Sequence, residues 1–118
     1  MQSMKTVRLE DVDKKVLEAE GIRGVSKQVP VGVADGSPTM SLRVFTVQPG
    51  GHTPYHSHPW EHINYILAGR GELRNADGTP RTVRAGDFAL VLPNEEHQFY
   101  NSGDTDLQFI CMVPTEQE

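Results

Sequence analysis

The heptapeptide HSHPWEH, residues 56–62, places three of the chain's five histidines within seven positions and sets Glu61 directly before the last of them. Imidazole nitrogen suits zinc, copper, iron and nickel, and mixed sites extend that range to manganese. Side chains two apart on an extended strand point the same way, so His56 and His58 can converge on one interior point. A further histidine, His97, follows in the strand-like segment HQFYN. A lone histidine in such a place is more often a hydrogen-bonded or surface residue. A His-x-His pair, a third histidine four positions on and a distant fourth after a proline turn favour metal instead. The pattern leaves the remaining ligand open between Glu61 and His62, and that choice sets the charge of the site.

Parity gives one answer. If the chain stays extended through residue 62, then 56, 58 and 62 share a face and 61 faces away, unless a bend at Pro59–Trp60 resets the count. Four neutral imidazoles would leave a divalent ion its full double charge, a stronger Lewis acid with a preference for anionic ligands.

These residues need a scaffold that brings distant segments together. From Met40 onward, short apolar or alternating runs are separated by turn residues at about the spacing of an all-β sandwich or barrel. Strands are expected near 25–31, 41–47, 54–57, 62–67, 71–75, 81–84, 88–92, 98–101 and 107–113. The runs QPGG, AGRG, NADGTP, RAGD, LPNEE and NSGDT read as the connections, because Gly, Asn and Asp accept tight-turn geometry. Residues 10–21, with Val12, Val16, Leu17 and a closing Gly21, suggest a short helix. FALVL and LQFICMV are apolar on both parities, so their outer faces are expected to meet a second copy of the chain, with cover by thicker loops as the alternative.

At 118 residues the chain has the length of a single domain, 1–118, with a core barrel at about 25–114 and an N-terminal arm at 1–24. Eleven Lys and Arg against sixteen Asp and Glu, with the positive charges scattered, make nucleic acid and anionic membrane poor partners. Cys111 is the single cysteine, and no apolar run is long enough for a signal or a span, so a soluble, cytoplasmic protein is expected.

The stretch PGGHTPYHSHPWEHINYILAGRGEL resembles the first motif of the cupin superfamily, with Gly50, His56, His58 and Gly69 in place. The second motif is echoed by GDFALVLPNEEHQFYN through Gly86, Pro93, His97 and Asn101. The resemblance implies an all-β, double-stranded β-helix or jelly-roll barrel. It departs at one informative point: the family's glutamate would stand about where His62 is, and Glu61 comes one residue early. HSHPWEH with the ending FICMVP is most similar to small bacterial four-histidine cupins. That implies one divalent ion, manganese by resemblance with iron, zinc, nickel or copper as alternatives, on His56, His58, His62 and His97.

Around the site, Phe109 and Cys111 share a strand face and would line a pocket, with packing the simpler role for Cys111. Trp60 would brace the ligand loop or roof the entrance. His52 has the ligands' parity but precedes them at a position where the motif needs no ligand. Tyr65 and Tyr100 fall on the opposite parity, toward an interface, and Glu95 and Glu96 read as solvated turn residues. The leading function is metal-dependent oxidoreductase or dioxygenase chemistry on a small organic molecule. A non-enzymatic metal or ligand sensor and a sugar or keto-acid isomerase are the alternatives.

Overall fold

The computed structural model describes residues 4–118. Among them are nine strands: β1 (Lys15–Leu17), β2 (Arg23–Val31), β3 (Met40–His52), β4 (His62–Ala68), β5 (Arg70–Asn75), β6 (Pro80–Arg84), β7 (Phe88–Val91), β8 (His97–Tyr100) and β9 (Leu107–Pro114). They form one curled antiparallel sheet in the order β6-β5-β8-β3-β9-β4-β7, with β2 added on β3 and β1 on β2. The all-β jelly-roll expectation is borne out.

Alternation decides which side chains face inward. In β9, Leu107, Phe109, Cys111 and Val113 are buried while the residues between them are half-buried. They lie opposite Val47, Phe45, Arg43 and Ser41 of β3, and on the other side Phe109 and Cys111 lie opposite Ile66 and Asn64 of β4. The inner face therefore grades along the barrel. A plug of Val25, Val47, Ile66, Val83, Phe99 and Leu107 fills one end, with Phe109 above it, and polar groups begin at the row of Arg43, Cys111 and Asn64.

The structure differs from the sequence expectations in three places. The helix expected within 10–21 is instead a single 3-10 turn at Leu9–Asp11 followed by β1, because Val16 and Leu17 find a partner strand at Ser26 and Val25. QPGG is no turn: β3 runs through it as a bulge, advancing from Val47 to His52 while β2 moves only from Val25 to Arg23. Gly50 takes the left-handed φ of 78° there, and a Cβ on Gly51 would sit 2.5 Å from the Arg23 carbonyl oxygen. Residues 54–57 form no strand. Only His56 pairs, its N–H donating to the His97 carbonyl at 3.1 Å and its carbonyl accepting from the His97 N–H at 2.9 Å.

Asn101 closes the bulge from below. It is fully buried; its Nδ2 donates to the carbonyls of Val47 and Thr105, each at 2.8 Å, and its Oδ1 accepts from Gly103 N–H at 2.8 Å. The bulge in turn sets where the loop carrying His56 and His58 leaves the sheet.

Candidate metal centre

Three local devices aim the histidines. The loop 53–61 is tied across to β8 and the turn before it: His56 pairs with His97, and Asn94 N–H donates to the His58 carbonyl at 2.7 Å. The chain does bend at Pro59–Trp60, so parity does not carry from His58 to His62. His62 reaches the interior because it opens β4, where His62, Asn64 and Ile66 are buried and Ile63 and Leu67 are exposed. Glu61, the residue before the strand, is exposed.

Ligand atoms of His56, His58 and His97 all lie within 4.8 Å of one another. His62 adjoins them, its ring centroid 5.2 Å from that of His58 and 4.8 Å from that of His97. The rings are held from behind by acceptors. His58 Nδ1 lies 3.0 Å from the Trp60 carbonyl oxygen, and His97 Nδ1 lies 2.8 Å from the Glu95 carbonyl oxygen. His62 Nδ1 lies 2.7 Å from Asn64 Oδ1, and the Asn64 amide is oriented by its Nδ2 donating to the Ile110 carbonyl at 3.2 Å. A carbonyl oxygen can only accept, so all three rings carry their proton on Nδ1 and present a lone pair at Nε2.

The consequence is sharpest for one pair. His62 Nε2 and His97 Nε2 stand 3.1 Å apart. With both Nδ1 atoms donating elsewhere, two lone pairs face each other with no proton to share. Burial, reinforced by charge on its histidine neighbours, pushes His62 down to about 3, and burial also holds His97 below the ordinary histidine range, so protonation is a poor remedy. His56 is likewise lowered to about 4, by burial first and then by His97. A cation is the fitting remedy. Two nitrogens each about 2.1 Å from one ion stand about 3 Å apart when they meet it at a right angle.

The cluster opens into a cavity of about 330 Å³. Phe45, Phe99 and Phe109 wall it, with ring centroids of Phe99 and Phe109 4.1 Å apart and those of Phe45 and Phe109 5.6 Å apart. Trp60 lies flat on His58, with centroids 4.3 Å apart and planes 5° apart, so it braces that ring and lines the cavity as well. Cys111 and Phe109 line it from β9.

The remaining candidates fall outside. His52 is not among the cavity-lining residues; its Nδ1 lies 3.2 Å from the Thr53 carbonyl oxygen on the strand pairing with Tyr100. Tyr100 carries the Arg74 guanidinium 4.4 Å from its ring centroid, and Tyr65 packs on Phe88 at 4.6 Å. Glu95 is not simply solvated, since its carboxylate accepts from Leu92 N–H at 3.2 Å and its carbonyl orients His97. Sequence reasoning missed Arg43, Lys27 and Asn64 at the cavity. The signal for Arg43 was available: it shares the inward parity of Phe45 and Val47 in SLRVFTV.

Residues 43–113 match the model of the cupin domain family. The chain belongs to the cupin family. This cupin is 26% identical over 110 residues to protein SchB of Streptomyces halstedii, covering 92% of this chain and 76% of that one. It is 35% identical over 66 residues to the oxalate-binding protein of Thermotoga maritima, covering 55% of this chain and 54% of the relative. The matched segment thus spans about half the length of that relative. Among solved structures, the polyketide cyclase RemF of Streptomyces resistomycificus superposes with a TM-score of 0.90 at 29% identity, covering 96% of this chain and 80% of that one. The histidine triad can hold a metal ion in this cupin, and no helix among the described residues is long and apolar enough to cross a membrane.

Proposed function

We propose that this cupin is a metal-dependent enzyme that acts on a small, conjugated carbonyl compound, with one divalent ion held by His56, His58, His62 and His97. The observation that carries the reading is the His62–His97 nitrogen pair, 3.1 Å apart and facing a 330 Å³ cavity walled by aromatic rings. When bound, the ion supplies Lewis acidity, which polarises a carbonyl and favours its enol. The chain does the rest. Four neutral imidazoles leave the ion's charge undiminished, and Phe45, Phe99, Phe109 and Trp60 exclude water and favour a flat molecule. Enolisation and ring closure on such compounds fit this site, and the likeness to a polyketide cyclase supports that class.

The oxygenase reading made from the sequence uses the same ligands and differs in consuming dioxygen. Elemental analysis of protein purified without a histidine tag identifies the ion. Manganese is implied by the resemblance, although an all-nitrogen set by intrinsic affinity prefers copper, nickel or zinc. The loaded protein is then incubated with β-diketones and catechols, with oxygen uptake and products followed together. Product without oxygen uptake is the expected result. Uptake would favour the oxygenase, and tight binding without turnover would favour a sensor.

We infer also that two copies pair through the outer face of β4 and β7. Ile63 lies opposite Leu90 and Tyr65 opposite Phe88, and Ile63, Phe88 and Leu90 are 45%, 77% and 57% exposed. The lone cysteine, buried and free, fits a reducing, cytoplasmic address.

A further inference from the structure

The cavity holds a second kind of group that metal binding does not use. Arg43 on β3 lies opposite Cys111 on β9, and Cys111 lies opposite Asn64 on β4. The three form one row across strands about 4.8 Å apart. Asn64 is the residue that orients His62, so the guanidinium stands in the row beside the histidine cluster. Arg43 Nη2 donates to Cys111 Sγ at 3.0 Å, and its Cζ lies 5.0 Å from the centroid of the Phe45 ring. Arg43 Nε is buried without a hydrogen-bond partner, and so is Trp60 Nε1. Both residues line the cavity, Trp60 where it stacks on His58.

Among the described residues, Arg43 Nε and Trp60 Nε1 find no acceptor. No aspartate or glutamate lines the cavity, and the ion pairs among the described residues, Lys5–Asp35 and Arg74–Glu72, involve none of its lining residues. Lys27, the other lining cation, is engaged elsewhere, its Nζ donating to the Glu118 carbonyl at 2.7 Å. Buried donors are costly to leave unmade, and a guanidinium matches two oxygens at once while keeping its charge. What completes the cavity must bring acceptors and negative charge on a body flat enough to lie among phenyl rings.

We propose that Arg43, assisted by the indole N–H of Trp60, is the subsite for an anionic oxygen group of the ligand bound at the histidines. The ligand class is then a planar, conjugated organic acid whose other oxygen reaches the ion. The proposal deepens the metal reading and rests on it for the second contact.

The test is calorimetric titration of the zinc-loaded protein with 2-hydroxybenzoate and with its neutral amide, 2-hydroxybenzamide. The two share size and ring and differ in the charged oxygen pair. The acid is expected to bind at least about tenfold more tightly than the amide, as loss of a charge-assisted hydrogen-bond pair would give. Arg43→Gln should cut the preference about tenfold, to what the ion alone gives, while still binding one equivalent of zinc with an unchanged circular-dichroism spectrum. Arg43→Lys should retain part of the preference, and Trp60→Phe should weaken the acid to a smaller degree. Equal affinities in the wild type, no detectable binding of the acid, or a preference undiminished in Arg43→Gln would each overturn the subsite. Metal-free protein separates the two readings. A preference that persists there and vanishes in Arg43→Gln supports the subsite even if the metal reading fails. Full zinc binding by Arg43→Gln with the preference intact leaves the metal reading standing and removes the subsite.

Discussion

His62 and Glu61 are adjacent, yet one is 3% exposed beside three other imidazoles and the other faces solvent. Removing the buried ring should therefore matter most. His62→Ala is expected to weaken metal binding well beyond the roughly 10- to 100-fold typical of losing an outer hydrogen-bond partner, whereas Glu61→Ala should leave stoichiometry and affinity nearly unchanged. Competition titration with a chromogenic chelator reads both. A site emptied by Glu61→Ala and kept by His62→Ala would restore the three-histidine, one-glutamate arrangement. Asn64→Leu tests the support behind the ring: it should cost within that 10- to 100-fold range, because His62 loses the acceptor that fixes its proton on Nδ1.

The same burial makes the metal-free fold sensitive to acid. His56 and His62 titrate at about 4 and about 3 in the fold, and His97 is lowered too, whereas an unfolded histidine titrates at about 6.5. As pH falls below about 6.5 the unfolded chain takes up protons before the folded one does, so stability is full above that value and declines toward pH 4. Denaturant midpoints of metal-free protein at pH 8, 6 and 5 should fall in that order. In His62→Leu the decline should be shallower. An identical slope in that variant would mean that His62 is not held neutral by the fold.

At the scale of elements, the bulge in β3 and the corner under it carry the ligand loop. Gly50 N–H donates to the Asn101 carbonyl at 3.0 Å, and Asn101 N–H donates back to the Gly51 carbonyl at 3.0 Å. The Asn101 side chain satisfies the buried carbonyl of Val47, the carbonyl of Thr105 and the Gly103 N–H besides. Asn101→Ala should cost about 3 kcal/mol of folding stability, as groups left unpaired in the interior lose their full desolvation energy. Metal affinity of the variant that still folds should drop with it, because His97 opens the strand that Asn101 follows. Undiminished stability would show that water replaces the amide at this corner.

For the molecule as a whole, an ion bound only by the folded state adds about 2.7 kcal/mol at a hundredfold excess over its dissociation constant. Melting curves with and without metal should separate accordingly, and coincident curves would argue against a coordinated interior site. The outer face makes a second demand. Phe88, Leu90 and Ile63 present apolar surface that a monomer would leave in water. Sedimentation of the native chain should give a dimer, and Phe88→Glu with Leu90→Glu should give a folded monomer that still binds metal. A monomeric wild type would end the pairing proposal.

Much of this architecture was legible in the residues themselves. The short apolar run LQFICMV specified a strand, turn residues punctuated the barrel, and HSHPWEH with His97 marked where chemistry would gather, because ligand type and run length are local properties of the chain. Other features needed the fold. Val16 and Leu17 became a strand because β2 offers an edge there, a long-range pairing that no helical period within 10–21 could reveal. QPGG became a bulge because Asn101, some fifty positions later, accepts and donates at its two glycines. Parity across Pro59 was lost to a bend, and His62 reached the cluster instead through its place at the start of β4. The pairing of Arg43 with Cys111 and of Cys111 with Asn64 joins three strands distant in sequence. Sequence order determined the kind of groups available; only the closing of the sheet decided which of them share one cavity.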